Sequence, residues 1–231
     1  MRRLIARYPA LPFVAPFAVF ILMLGLKNVG VAGARWLYPI QVIVVSTVVL
    51  LVSRPLVSDP AAGPVRPVRP FGSFAIGLLV FAVWIGPDQV WPAYRHHWLF
   101  ENSLTGVAQS SLPAGLRSDP LFLAFRVFGT AILVPIIEEL FWRGFLMRYL
   151  IDSDFLKIPL GTYAPLSFFL TALLFATEHG PFWEVGLAAG LIYNWWMVRT
   201  RSLTDCMIAH GVTNAALAVF VTVGGHWDYW L

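Results

Sequence analysis

Seven apolar runs follow one another along the chain, at about 11–26, 36–53, 71–90, 121–150, 165–179, 182–198 and 203–223. A bilayer core takes about 20 helical residues to cross, and lipid offers the backbone no hydrogen bonds, so runs of this kind must become helices. The expected fold is all-α: a polytopic transmembrane helical bundle of about seven spans, with no sheet. Composition agrees, with 58% hydrophobic residues, 12% charged residues and a mean hydropathy of +0.73. Soluble domains carry about 25% charged residues. The 231 residues then form a single integral-membrane domain, 1–231, without room for a sizeable soluble one. A net charge of +4 raises the question of nucleic acid, but the basic residues lie between the apolar runs. That pattern sets topology, so the expected environment is the lipid bilayer, with no nucleic-acid partner. The single cysteine, Cys206, excludes an intramolecular disulfide and a multi-cysteine metal site.

Taken in order, Arg2, Arg3 and Arg7 precede the first run, and Val31-Ala32-Gly33-Ala34 follows it in the manner of a signal peptide. The further runs make it a retained first helix, the first of two N-terminal spans within 1–53. Residues 54–70 hold five prolines besides Arg54, Arg66 and Arg69, a composition that favours extended backbone and reads as a linker. Residues 91–120 are polar and read as an external loop, and 121–223 hold the remaining core helices. The fourth run, near 30 residues, is longer than a span and must tilt, kink near Pro135 or project into water. With the N-terminus inside, ten basic residues fall on the inner side: Arg2, Arg3, Arg7, Arg54, Arg66, Arg69, Arg148, Lys157, Arg199 and Arg201. Four fall outside: Lys27, Arg35, Arg95 and Arg117. This bias predicts a cytoplasmic N-terminus, with the aromatic segment His226 to Trp230 at the outer interface.

Within the fourth run, LVPIIEELFWRGF places Glu138 and Glu139 among large apolar residues. A charge at the bilayer centre costs at least ~2.5–3.5 kcal/mol on insertion scales. Glu139 can pair with Arg143 one turn on, whereas the i+4 neighbour of Glu138 is Trp142. Three more polar residues lie in apolar runs: His179, and His210 with Asn214 at i and i+4 on one face. Singly, each reads most simply as a helix–helix hydrogen bond. Together they can meet in one layer once the helix ends are placed to within about 5 Å. At 1.5 Å per residue, Glu139 lies roughly 16 Å from the inner end of its run, His179 roughly 21 Å, and His210 and Asn214 roughly 10 and 16 Å. One layer of two carboxylates, two imidazoles and an amide suits hydrolysis. A desolvated carboxylate is a stronger base, a histidine can orient water, and donors on a nearby turn can receive an oxyanion. The cavity they form is expected to be polar and to connect to the inner side.

The pattern Glu138-Glu139-x-x-x-Arg143, Phe175-x-x-x-His179 and His210-x-x-x-Asn214 resembles, in order and spacing, the three motifs of the CAAX protease and bacteriocin-processing (CPBP) membrane peptidases. That family includes the type II CAAX prenyl endopeptidases, and the resemblance covers about 120–223. The WRGF after the glutamates and RSLTDCMIAHGVTN look like the bacterial branch associated with exosortase sorting systems. The resemblance implies an intramembrane endopeptidase in which Glu138 activates water with help from His179. His210 and Asn214 would form the oxyanion site, and Glu139 and Arg143 would shape and balance it. The family is classed with metallopeptidases. Glu138, His179 and His210 make a possible metal set, for zinc or another divalent ion with one position open. Prenyl endopeptidases have eight spans where this sequence shows seven.

The implied partner is a membrane-bound peptide or protein substrate, with an exosortase-system protein as a possible associate. Two rivals remain at this stage. A thiol protease would use Cys206, one turn before His210. A transporter or scaffold would use the buried charges as an ion path or as structure.

Overall fold

The computed structural model describes residues 2–26, 33–53, 56, 69–110 and 112–230. A short helix α1 (Arg2–Arg7) precedes α2 (Leu11–Leu26). Then come α3 (Ala34–Val48, continued by a π-turn over Val49–Ser53), α4 (Pro70–Val90) and α5 (Pro120–Tyr149). The chain closes with α6 (Pro165–Thr177), α7 (Trp183–Thr200) and α8 (Leu203–Gly224). Among the described residues there is no strand, only an isolated bridge between Asn102 and Gly106. The seven helices α2–α8 coincide with the seven apolar runs. Four segments, Arg35–Ser53, Pro70–Val90, Pro120–Tyr149 and Leu203–Gly224, are long and apolar enough to cross a membrane, while α2 and α6 are apolar but shorter. Apart from Leu56, Arg69 and Pro70, the expected Pro/Arg linker 54–70 lies outside the described residues.

The bundle wears much of its apolar surface outward. Leu22, Phe71, Leu79, Ile132, Leu166 and Phe169 are all exposed. Water would penalise such a surface; acyl chains cover it without cost, and the protein is an integral membrane protein.

Helix α8 runs against α4, with Thr213 Oγ1 donating to the Gly77 carbonyl at 2.8 Å. A Cβ at Gly77 would collide with the Ala209 carbonyl and with Val212, so this small residue permits the approach. Helix α2 packs on α5 through Phe17, which stacks on Phe141 at 4.5 Å and meets Trp142 edge-on. Helix α5 starts where Asp119 Oδ1 accepts from the Leu121 and Phe122 N–H groups and Pro120 fills the first turn.

Of the three options for its length, α5 takes a local one. It stays helical throughout, with π-turns over Gly129–Leu133 and Leu140–Leu146 on either side of the glutamates. Pro135 has no N–H to give to the preceding turn, and the Val134 N–H goes to Gly129. The Thr130 carbonyl is thereby released, and Asn214 Nδ2 donates to it at 2.8 Å. A proline on one helix thus creates the docking point for a polar residue on another.

The loop 91–120 is folded against the bundle end. Arg95 pairs with Asp88 (3.1 Å) and Glu184 (2.6 Å), and Trp183 Nε1 donates to the Leu99 carbonyl. Part of the C-terminal aromatic segment is folded into the bundle. Tyr229 stacks on Phe182 and gives its hydroxyl to Asp88, and Trp230 is only 4% exposed. Their rings find more apolar contact inside the bundle mouth than at its rim.

Candidate active site

One cavity of about 240 Å³ lies between α4, α5, α6, α7 and α8. Glu138, His179, His210 and Asn214 all line it, as the sequence predicts. Glu139 and Arg143 do not; they stand behind it, both 0% exposed. The cavity runs from Glu138 toward the first turns of α5, where Arg126, Tyr229 and Trp230 line its far end.

Behind the cavity, the buried charges are paired through Glu139 Oε1, while Glu139 Oε2 has no hydrogen-bond partner. Glu139 Oε1 accepts from Arg143 Nη1 at 3.0 Å and lies 2.9 Å from His210 Nδ1. Arg143 Nε donates to Asn194 Oδ1 at 2.9 Å, its Nη2 reaches the Gly190 carbonyl at 3.4 Å, and the guanidinium lies over Phe175. Asn194 in turn donates to the Phe168 carbonyl at 2.8 Å. A pair at zero exposure holds only when its remaining donors are satisfied, and α7 supplies the acceptors.

The two imidazoles are oriented by different acceptors. A carboxylate held by Arg143 only accepts, so His210 Nδ1 is the donor toward Glu139, and its Nε2 lies 3.9 Å from Glu138 Oε2. Tyr193 stacks under the His210 ring at 5.0 Å and is itself anchored on Thr213. His179 uses Nδ1 on the Phe175 carbonyl at 2.8 Å, which leaves Nε2 as the ring's other polar atom. Gly186 makes room for that ring; a Cβ there would stand 2.9 Å from His179 Nδ1.

Glu138 is the contrast. It is 8% exposed, and its Oε2 has no hydrogen-bond partner within the protein. It is a buried carboxylate with acceptor capacity to spare, facing a cavity.

The metal reading fares differently. Among the described residues, no group of three or more His, Cys, Asp and Glu side chains is placed to hold an ion. Glu138, His179 and His210 share the cavity without forming that set, and no step is routed through a metal. Cys206 is fully buried, with Sγ 3.8 Å from the Tyr193 carbonyl and from Met197 Sδ, and it does not line the cavity. Its helical spacing from His210 is as expected; its side chain packs into α7 instead of reaching the site.

Three residues of this region escape the sequence reading. Asn194 and Tyr193 sit in LIYNWW, where the signal is a lone amide in a span. Glu178 lines the cavity beside His179, and the same logic that singles out Glu138 applies to it.

Residues 120–216 match the family model described as Type II CAAX prenyl endopeptidase Rce1-like. No curated protein and no solved structure matches the chain.

Proposed function

From the match of residues 120–216 to the type II CAAX prenyl endopeptidase Rce1-like model, we propose an intramembrane endopeptidase in which Glu138 activates the attacking water. The observation that carries this reading is the division of labour between adjacent glutamates. Glu139 is committed through Oε1 to Arg143 and His210 behind the cavity, whereas Glu138 lines the cavity and its Oε2 is without a partner, as is Glu139 Oε2. A separation of 3.9 Å between Glu138 Oε2 and His210 Nε2 is too long for a hydrogen bond and suits a shared water. In the proposed reaction Glu138 takes one proton from that water as its oxygen bonds to the scissile carbonyl carbon. The oxyanion is received by the second N–H of the Asn214 amide, whose first is held by Thr130, and by His210 when its Nε2 is protonated. Collapse breaks the C–N bond, and Glu138 returns its proton to the leaving amine. His179 orients the water from the turn after α6.

The substrate is a membrane-associated peptide. Prenylated tails, leader peptides and sorting-signal remnants are the candidates to assay. With the N-terminus cytoplasmic, the cavity end at Arg126 and Trp230 faces the opposite side of the membrane.

The test is cleavage of a quenched-fluorescence peptide set by the purified protein in nanodiscs. Glu138→Gln keeps shape and removes the proton acceptor, so turnover should fall by ~10²–10⁴-fold with folding intact. Cys206→Ala should retain most activity. Normal cleavage by Glu138→Gln together with a dead Cys206→Ala would reverse the assignment in favour of the thiol.

A further inference from the structure

Arg95 lies in the loop 91–120, ahead of the residues that match the family model, and is 5% exposed. Its donors reach three places. Nε and Nη2 bond Asp88, near the end of α4, each at 3.1 Å. Nη1 bonds Glu184 Oε1, in the first turn of α7, and the Pro181 carbonyl, both at 2.6 Å. The guanidinium stands 4.3 Å over the Phe182 ring. Arg95 does not line the cavity, and the proposed chemistry gives it no part. Two carboxylates, a carbonyl and a ring gathered on one guanidinium fix the segments that carry them, because the planar fork bonds in set directions.

What Arg95 grips is the turn Gly180–Phe182, which begins directly after His179. A Gly-Pro turn has little hold of its own, since Pro181 gives no N–H. Two routes lead from the turn to the imidazole. Along the backbone, the Phe182 N–H donates to the His179 carbonyl at 3.0 Å, and Gly180 takes a φ of +52°, which glycine adopts without strain. Through the rings, Phe182 stacks on Trp84, and Trp84 meets the His179 ring edge-on at 5.1 Å. Trp84, His179 and Phe182 all line the cavity. The same cluster holds Tyr229, another lining residue, whose hydroxyl donates to Asp88 Oδ2 at 3.0 Å.

We propose that Arg95 is a positioning residue of the active site: by clamping the Gly180–Phe182 turn from the loop 91–120, it fixes the His179 ring at the cavity wall. The loop then serves the site as well as connecting two spans. The effect on turnover rests on the peptidase reading; the effect on the ring does not.

The test reads the ring directly. Purified protein in nanodiscs is treated with diethyl pyrocarbonate, and carbethoxylation of His179 and His210 is followed by mass spectrometry. His210 is the internal reference, because Glu139 and Tyr193 hold it independently of the turn. Arg95→Met keeps an apolar stem over Phe182 and removes the fork. The His179 rate should rise at least ~3-fold relative to His210, as local opening exposes a group without global unfolding. Arg95→Lys keeps a charge between the carboxylates without the fork. It should unfold near the parent temperature, should still raise the His179 rate, and keeps the test available if the Met variant does not fold. An unchanged His179 rate in a folded variant overturns the proposal, as does a parallel rise at both histidines, which would mean general loosening. In the cleavage assay both variants should lose at least ~10-fold in kcat with KM nearly constant, since small displacements of positioned groups act on rate. A loss confined to KM would make Arg95 a substrate-entry residue and overturn the assignment. If the parent protein cleaves nothing, the peptidase reading fails, and the His179 rates still decide whether Arg95 holds the ring.

Discussion

His210 turns Nδ1 to Glu139 at 2.9 Å and leaves Nε2 3.9 Å from Glu138. One imidazole thus connects the structural glutamate to the cavity glutamate. The arrangement holds because Glu139 is anchored from the other side by Arg143, and Arg143 by Asn194. It assigns opposite consequences to neutralising two adjacent residues of the same type.

Glu139→Gln should act first on stability. Arg143 would be left at zero exposure without its anion, and removing one partner of a buried pair typically costs about 3–5 kcal/mol. Thermal unfolding in detergent should show a large fall for Glu139→Gln and little change for Glu138→Gln. Equal and small shifts would mean that Arg143 finds another counter-ion.

Asn214 has two attachments, the Thr130 carbonyl and the cavity. Replacing it by Ala should lower kcat by about 10²–10³-fold if its second N–H serves the oxyanion, with a smaller effect on KM. A purely structural asparagine would show its loss in unfolding temperature and leave kcat in the folded fraction unchanged.

Gly186→Ala places a methyl group against the ring of His179. The ring must move, and its hydrogen bond to the Phe175 carbonyl weakens. Turnover should drop at least ~10-fold while circular dichroism stays helical, since small displacements of positioned groups have large effects on rate. Unchanged turnover would remove His179 from the proposed site.

Orientation is open to a direct measurement. Reporter fusions at Val57 and Ser110 should report opposite sides, with Ser110 on the non-cytoplasmic face and therefore on the side of the Arg126 end of the cavity. Both reporters on one side would break the topology, and a cytoplasmic Ser110 would place the cavity mouth in the cytoplasm.

The helices were legible because their cause is local. Hydropathy over some 20 residues decides which segments leave water, and lipid then enforces a helix whatever lies beside it. The motif residues were legible for a similar reason, since charges and amides in apolar runs are costly and i, i+4 spacing places pairs on one face. Other features depend on which helix packs against which. Asn194 matters only because α7 lies beside Arg143, and Arg95 only because Asp88, Pro181 and Glu184 meet around it. Cys206 has the right spacing from His210, yet its neighbours Tyr193 and Met197 draw it away from the cavity. The lining of the cavity followed the same rule, because Tyr229 and Trp230 fold back into the bundle to join it. The sequence by itself therefore determined an all-helical membrane chain with two glutamates, two histidines and an amide at matching depth. Tertiary structure decided what closes on the local Glu139–Arg143 pair, because Asn194 of α7 and His210 of α8 reach it through packing that no local pattern encodes.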